Sequence, residues 1–260
     1  MEATINWDVS PIIFEFGFLK LRWYGLLFAL GFVVGYYIME WIFKIEGKPQ
    51  KEMESLTFTM VLSTVIGARL GHCLFYAPEY YLSDPIEILK VWEGGLASHG
   101  AAIGILIGLF LFVNKRKNEF SYMWILDRIA IVIALAGSFI RLGNLFNSEI
   151  LGKPADIPWS ISFPAINDLT PRHPTQIYES VSYLIIFLIL FFTYNKKREN
   201  VRPGLVFGLF LILVFGARFI IEYFKENQSL FESGMMFNMG QLLSVPLVLA
   251  GLWLVFLKKR

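Results

Sequence analysis

The chain has 260 residues, of which 56% are hydrophobic and only 17% are charged, and its mean hydropathy is +0.57. Soluble globular proteins carry about 25% charged residues, so this composition excludes an ordinary water-soluble globule. The net charge of +2 leaves no basic excess for a nucleic-acid backbone, which excludes nucleic acid as a partner.

Apolar runs of about 20 residues, the length that crosses a bilayer, recur along the whole chain between charged and Pro-, Gly- or Asn-rich breaks. We predict an all-α polytopic membrane protein, a single integral membrane domain over residues 1–260. About seven transmembrane helices are expected, at 19–43, 55–76, 96–114, 122–147, 178–195, 203–224 and 238–257. The first predicted helix is expected to stay in the protein. The 18 residues before it contain no Lys or Arg but include Glu2, Asp8 and Glu15, which is untypical of a cleavable signal peptide.

Basic residues are distributed unevenly between the predicted helices. Thirteen follow helices one, three, five and seven, whereas the opposite loops contain only Lys90, Lys153, Arg172 and Lys225. Since positive residues collect on the cytoplasmic side, we predict an extracytoplasmic N-terminus, a cytoplasmic C-terminus and a short extracytoplasmic cap loop at 148–177. Five prolines in this loop indicate an ordered cap rather than a linker.

Small residues recur at helix-packing spacing within the predicted helices. The stripes are Gly31/Gly35, Gly67/Gly71, Gly100/Gly104/Gly108 and Gly204/Gly208. In a bilayer such stripes let helix backbones approach closely, so they predict a compact bundle. This pattern concerns packing and gives no indication of chemistry.

Polar residues gather at the helix ends that the predicted orientation places in the outer leaflet. In chain order they are Arg22, Tyr24, Arg69, His72, Ser98, His99, Arg141, Asn144, Asn147, Glu149, Gln176, Glu179, Arg218, Glu222, Asn238 and Gln241. At 1.5 Å per residue, the deeper ones lie roughly 5–10 Å inside the boundary, at the depth of lipid phosphate and glycerol. The opposite half is almost uncharged, which disfavours a channel or a proton-coupled transporter.

Three guanidiniums at this depth, those of Arg69, Arg141 and Arg218, favour an anionic phosphodiester, because the planar fork gives bidentate contacts to phosphate. Glu222, four residues after Arg218, is expected to orient it. No metal or cofactor is expected, because the chain has a single cysteine, Cys73, and its three histidines show no metal-ligand spacing.

Local motifs across residues 23–246 occur in the same order as in one known protein family. They are Trp23-Tyr24-Gly25, Trp92-Glu93-Gly94-Gly95 leading to Ser98-His99-Gly100, Arg141-Leu142-Gly143-Asn144, Asn147-Ser148-Glu149, Pro171-Arg172-His173-Pro174, Gln176-Ile177-Tyr178-Glu179, Arg218 to Glu222, and Met239-Gly240-Gln241. On these pieces the chain resembles prolipoprotein diacylglyceryl transferase, a bacterial membrane enzyme. The chain departs from the family pattern at three positions: Ala101-Ala102 stand where glycine and leucine are usual, and Val214 stands where many members have tyrosine.

The resemblance implies a reaction in which the diacylglyceryl group of phosphatidylglycerol moves to the lipobox cysteine thiol of a prolipoprotein signal peptide, releasing glycerol phosphate. It also implies a multi-pass protein of the bacterial cytoplasmic (inner) membrane whose active site faces the outer leaflet of the lipid bilayer. Such a reaction must deprotonate a thiol and stabilise a departing phosphate where water is scarce. Cys73 is not the acceptor, because the acceptor cysteine belongs to the substrate.

The resemblance gives each candidate residue a role, and several alternatives remain open. Catalytic roles at the phosphate are implied for Arg141 and Arg218. His99 is expected to act either as the general base or as a residue that orients the headgroup or water. Tyr24 is expected either to have a catalytic role or to be an interfacial anchor. Substrate binding falls to Arg141, Asn144, Glu222, Arg69 and Glu149, the last of which either binds substrate or holds Arg141. His173 is expected to be structural and Cys73 a packed core residue.

Two other classes of function compete with this reading. A transporter or flippase for an anionic solute or lipid would use the same outer pocket, but the apolar cytoplasmic half argues against it. A metal-dependent phosphatidyltransferase needs several aspartates in the spans, and these are missing.

Overall fold

The structure, a computed structural model, describes residues 5–17, 19–91, 94–227, 232 and 234–257. Parts of the sequence patterns lie outside these residues, namely Glu2, the Trp92-Glu93 pair and the basic C-terminal residues Lys258, Lys259 and Arg260. The chain forms two compact units, residues 1–39 with 126–260 and residues 40–125, which are described separately. The prediction of a single membrane domain stays a prediction.

The protein is mostly helical, as predicted. Its helices are α1 (Trp23–Ile45), α2 (Gln50–Phe75), α3 (Pro78–Ser83), α4 (Ser98–Asn114), α5 (Tyr122–Phe146), α6 (Thr175–Lys197), α7 (Leu205–Glu222) and α8 (Met239–Leu252), the last continued by a π-turn at Trp253–Leu257. Six of these helical segments are long and apolar enough to cross a membrane, and α4 is a shorter apolar helix of 17 residues. Each of the seven predicted segments therefore corresponds to an apolar helix. Membrane orientation stays a prediction.

The first predicted span begins too early. Residues 19–22 form strand β3 (Leu19–Arg22), which pairs antiparallel with β2 (Ile12–Phe16), and α1 starts at Trp23 with no intervening loop. Strand β2 is largely apolar, with Phe14 and Phe16 strongly exposed, whereas β3 alternates leucines with Lys20 and Arg22. Hydropathy alone does not separate a hairpin of this kind from the start of a span.

The segment between α5 and α6 is ordered, as its prolines predict. Within it β4 (Ile161–Phe163) pairs antiparallel with β5 (Asp168–Arg172) and parallel with β1 (Ile5–Asn6). The side chains of Leu145, Ile161 and Phe163 form a small buried core beneath this sheet. The core joins the cap to the end of α5, and this is the end that carries Arg141 and Asn144.

Glycine contacts hold the helices of the first unit together, as the small-residue stripes predict. A Cβ atom on Gly31 of α1 would lie 3.2 Å from the Cβ of Ala136 in α5, and one on Gly208 of α7 would lie 3.1 Å from the backbone oxygen of Gly251 in α8. A reciprocal pair of serine hydrogen bonds, Ser138 with Ser180, joins α5 to α6. These contacts pair α1 with α5, α5 with α6, and α7 with α8.

In the second unit, α2 packs directly against α4 along the other two glycine stripes. A Cβ on Gly67 would lie 2.5 Å from the carbonyl oxygen of Gly100, and one on Gly71 would lie 2.6 Å from its Cα. Only glycine permits this backbone approach. The close packing sets the position of the first turn of α4, which carries His99.

Candidate active site

Charged side chains from three helices meet in the interior of the first unit. We call five residues the ion cluster: Arg141 of α5, Glu179 of α6, Arg218 and Glu222 of α7, and Lys225 just after α7. The side chain of Glu179 is fully buried, and those of Glu222 and Lys225 are nearly so. Charges so far from water must be stabilised by one another.

Glu179 holds two cations at once. Its Oε2 lies 3.0 Å from Nε of Arg141, and its Oε1 lies 3.0 Å from Nζ of Lys225. The hydroxyl of Tyr183, one helical turn later, donates to Oε1 at 3.2 Å. Arg141 is therefore held by Glu179 and not by Glu149, which was the partner considered from the sequence.

Glu222 links the rest of the ion cluster. Its Oε2 accepts a hydrogen bond from Nζ of Lys225 at 3.1 Å and lies 3.8 Å from Nε of Arg218. The contact with Arg218 is long for a hydrogen bond, so Lys225 is the closer partner. Gly240 of α8 packs on the carboxylate, where a Cβ would lie 2.5 Å from Cδ of Glu222.

The ion cluster carries one excess positive charge, since it has three cations and two carboxylates. Its most accessible members are the two arginines, with side chains 18% exposed for Arg141 and 34% exposed for Arg218. The Nε of Arg218 is buried and has no hydrogen-bond partner within the described residues. Such an arrangement suits a monoanionic group that approaches from the exposed side and accepts from both guanidiniums.

Asn144 connects Arg141 to Glu149. Its Oδ1 accepts from Nη1 of Arg141 at 3.3 Å, while its Nδ2 donates to Oε2 of Glu149 at 3.1 Å. Asn147 donates to the other carboxylate oxygen, Oε1, at 3.0 Å. Three residues of the predicted substrate-binding set, Arg141, Asn144 and Glu149, thus form one hydrogen-bonded chain.

Tyr24 lies at the start of α1 against the same end of α5. Its ring packs on Gly143, where a Cβ would lie 2.8 Å from Cδ2 of the tyrosine. Gly143 is next in sequence to Asn144 and two residues from Arg141. The structure therefore brings Tyr24, Arg141, Asn144 and Glu149 together, as the sequence motifs predict.

Arg69, in the second unit, is occupied by backbone oxygens. Its guanidinium donates to the carbonyls of Ile88 at 2.9 Å, Gly94 at 2.5 Å and Glu87 at 2.5 Å, and it lies over the ring of Tyr81. These contacts fix the loop before α4. The predicted contact of Arg69 with substrate stays a prediction, and the observed role is to position this loop.

His99 is exposed in the first turn of α4 and lies among aromatic rings. Its ring centroid is 5.2 Å from that of Phe75 and 5.8 Å from that of Tyr76, and His72 stacks on Tyr76 at 5.6 Å. The imidazole is accessible, as a general base must be. Its catalytic role remains a prediction from the motif.

Sequence reasoning missed the importance of Glu179 and Lys225. It counted Lys225 only as a loop charge. Lys225 follows the end of α7, where its N–H donates to the carbonyl of Glu222 at 3.2 Å, so this turn brings the two side chains together. Glu179 was noted as a polar residue at the start of its helix without an assigned partner. Among the described residues, no group of three or more His, Cys, Asp or Glu side chains is arranged to hold a metal ion.

His173 and Cys73 have structural surroundings, as predicted. The ring of His173 packs against Phe224 at 4.9 Å, and its Nδ1 lies 3.3 Å from the hydroxyl of Tyr178. Burial lowers the pKa of His173, so its imidazole is neutral at physiological pH. Cys73 is a free, buried thiol.

Comparison with known proteins gives one family. The family model described as "Prolipoprotein diacylglyceryl transferase" matches residues 11–257. Relatives with the name phosphatidylglycerol–prolipoprotein diacylglyceryl transferase include that of Tolumonas auensis, 49% identical over 98% of this chain and 97% of the relative. The relative from Chloroherpeton thalassium is 47% identical over 98% and 94%, and that from Porphyromonas gingivalis is 44% identical over 98% and 95%.

Proposed function

Because this chain belongs to the prolipoprotein diacylglyceryl transferase family, we propose that it transfers the diacylglyceryl group of phosphatidylglycerol to a prolipoprotein. The observation that carries the proposal is the similarity to enzymes of this name over almost the entire chain, at up to 49% identity in the relatives described above. The chain is accordingly a bacterial membrane transferase.

In the proposed reaction, the sulfur of the lipobox cysteine attacks the glycerol carbon of the diacylglyceryl group. A C–S bond forms while the C–O bond to phosphate breaks, and glycerol phosphate leaves with that electron pair. The thiol proton passes to a base. Atoms and charge balance without any metal, oxidant or cofactor.

The ion cluster is suited to the phosphate in this reaction. A phosphodiester carries one negative charge, which matches the single excess positive charge of the cluster. Negative charge grows on the phosphate as the C–O bond breaks, so fixed guanidiniums stabilise the transition state more than the ground state. We assign this role to Arg141 and Arg218, with Glu179 and Glu222 holding them and Asn144 contacting the headgroup.

The remaining assignments rest on the family motifs. His99 is proposed as the base that takes the thiol proton, Tyr24 as a residue that contacts the reacting lipid, and Arg69 as a further substrate contact. The acceptor is proposed to be a signal peptide with a lipobox, presented at the outer leaflet of the cytoplasmic (inner) membrane. The uneven distribution of basic residues supports this orientation.

Mass spectrometry of a lipobox peptide tests the proposal. The purified protein is incubated with the peptide and phosphatidylglycerol vesicles, and one diacylglyceryl group is expected on the cysteine. Unmodified peptide, with uptake of an anionic solute by proteoliposomes instead, would replace the transferase with the transporter alternative.

Arginine variants test the site within the same assay. Removing one preorganised donor to a developing oxyanion typically costs about 10²–10³ in rate, so Arg141→Ala and Arg218→Ala should each lose at least this factor while still folding. Arg198→Ala is the control, because Arg198 lies at the other end of α6. Wild-type rates in either cluster variant would remove the phosphate role.

A further inference from the structure

Tyr183 lies one helical turn beyond Glu179 on α6, next to the ion cluster. It is buried, and its ring packs on Gly137 of α5, where a Cβ would lie 3.1 Å from Cδ2 of the tyrosine. The reciprocal hydrogen bonds between Ser138 and Ser180 join the two helices close to this contact. Helix packing therefore fixes the phenol ring, and its hydroxyl reaches the ion cluster rather than water.

The hydroxyl of Tyr183 acts on the carboxylate of Glu179. It donates to Oε1 at 3.2 Å, and Nζ of Lys225 lies 3.0 Å from the same oxygen. A carboxylate turns about the bond that joins it to its side chain, so two donors on Oε1 fix the direction of Oε2. Oε2 is the atom that lies 3.0 Å from Nε of Arg141. Tyr183, a neutral donor, thus sets the orientation of the group that holds Arg141.

The matching position on α7 has no hydroxyl. Val214, Arg218 and Glu222 are spaced four residues apart and share one face of α7. Val214 is buried eight residues from the end of α7, and Tyr183 lies eight residues from the start of α6. At 1.5 Å per residue, both lie roughly 12 Å from the helix ends near which the ion cluster is built. Many family members have tyrosine at the position of Val214, so in this chain the phenol at this depth comes from α6.

We infer that Tyr183 is a positioning residue for the transfer reaction, whose hydroxyl orients Glu179 and through it Arg141. It supplies from α6 a hydroxyl that this chain lacks at position 214 of α7. The inference rests on the proposed function, in which Arg141 stabilises the charge that grows on the phosphate. A guanidinium that is held less firmly still attracts the phosphate of bound lipid, but it stabilises the transition state less well.

Tyr183→Phe tests the inference, because the ring and its packing on Gly137 are kept while the hydroxyl is lost. A misplacement of about 1 Å can cost about 10²-fold in rate. We expect kcat to fall by roughly 10- to 100-fold, while KM for phosphatidylglycerol stays near the wild-type value.

Tyr194→Phe is the matched control for this variant. It also removes a buried phenol hydroxyl from α6, but eleven residues farther along the helix, where the ring lies 5.5 Å from the guanidinium of Arg128. This variant should keep the wild-type kcat. Thermal unfolding of both variants separates a loss of fold from a loss of rate.

Two kinds of double variant show whether the hydroxyl acts through the ion cluster. In an Arg141→Ala background, Tyr183→Phe should cost little further rate, because the group that it positions is already absent. In a Tyr183→Phe background, Val214→Tyr should recover part of the lost kcat by returning a hydroxyl from α7. Val214→Phe brings the same ring without the hydroxyl and should recover nothing.

The outcomes are distinguishable. A wild-type kcat in Tyr183→Phe overturns the inference, and so does a full additive loss in the combination with Arg141→Ala. Equal kcat in the folded Val214→Tyr and Val214→Phe combinations overturns the replacement of an α7 hydroxyl by Tyr183. If Val214→Tyr does not fold, the combination with Arg141→Ala still decides whether Tyr183 acts through Arg141. Absence of transfer by the wild-type protein contradicts the proposed function itself.

Discussion

Replacing Glu179 with glutamine should destabilise the protein strongly, although the two side chains have the same shape. The change raises the charge of the ion cluster from +1 to +2 and leaves Lys225, 3.0 Å from the lost carboxylate oxygen, with Glu222 as its remaining partner. Removing one partner of a buried ion pair costs about 3–5 kcal/mol. At about 2–4 °C per kcal/mol for a protein of this size class, Tm should fall by roughly 6–20 °C.

Thermal unfolding in detergent measures this change, with two comparison variants. Glu226→Gln removes a half-exposed carboxylate from an arginine and should cost at most about 1 kcal/mol, as surface pairs do. The double variant Glu179→Gln with Lys225→Met returns the ion cluster to +1 and should recover most of the lost Tm, because the two sites are coupled.

A Tm for Glu179→Gln within about 4 °C of the wild type, the effect of 1–2 kcal/mol, would refute the description of a buried, mutually dependent cluster. Failure of the double variant to recover would show that Lys225 and Glu179 are not energetically coupled. Transfer rates measured on the same samples then report whether Arg141 is held less well.

Three further predictions concern other parts of the molecule. Gly143→Ala should slow transfer by about 10- to 100-fold, because the new Cβ would meet Tyr24 at 2.8 Å and displacements near 1 Å carry costs of this size; an unchanged rate would show that Tyr24 needs no fixed position. His99→Gln should reduce kcat/KM by about 10²–10⁴, and activity retained across pH 6–9 would remove its role as base. Desolvation opposes ionisation of Asp168, but hydrogen bonds from Thr170 and the nearby Arg172 outweigh it and lower the pKa of this carboxyl. The stabilisation by ionised Asp168 should therefore be full above its unfolded pKa of about 3.9 and should disappear as pH falls through the lower folded pKa. The Tm of Asp168→Asn should accordingly fall less than that of the wild type as the pH is lowered.

Sequence reasoning located the helices because each apolar run is long and bounded by charge or proline. It failed at boundaries where polarity and secondary structure do not coincide. Thr175 and Gln176 are helical, yet their polarity placed them outside the predicted span, which began at 178. Conversely, the predicted first span included residues 19–22, which form β3 and in which two leucines alternate with Lys20 and Arg22.

The candidate site was predictable in composition but not in pairing. Arg141, Asn144 and Glu149 follow one another along the chain, so their contact could be expected from spacing. The partner of Arg141 is Glu179, 38 positions later in sequence, and the pair exists because Ser138 and Ser180 fix α5 beside α6. Such a long-range pairing depends on helix packing, which a single sequence does not determine.

In the turn after α5, Ile150 has a φ angle of +56°, in the left-handed region that glycine favours. This strain has a consequence for evolution and engineering. Glycine at this position would relieve roughly 1–3 kcal/mol of conformational strain and would be an obvious choice for making the protein more heat-resistant. The same substitution would make the backbone around Glu149 more flexible, so that the position of its carboxylate would be less well defined. Thermostable versions selected without an activity screen should accumulate changes in this turn, whereas versions selected for turnover should keep the strain.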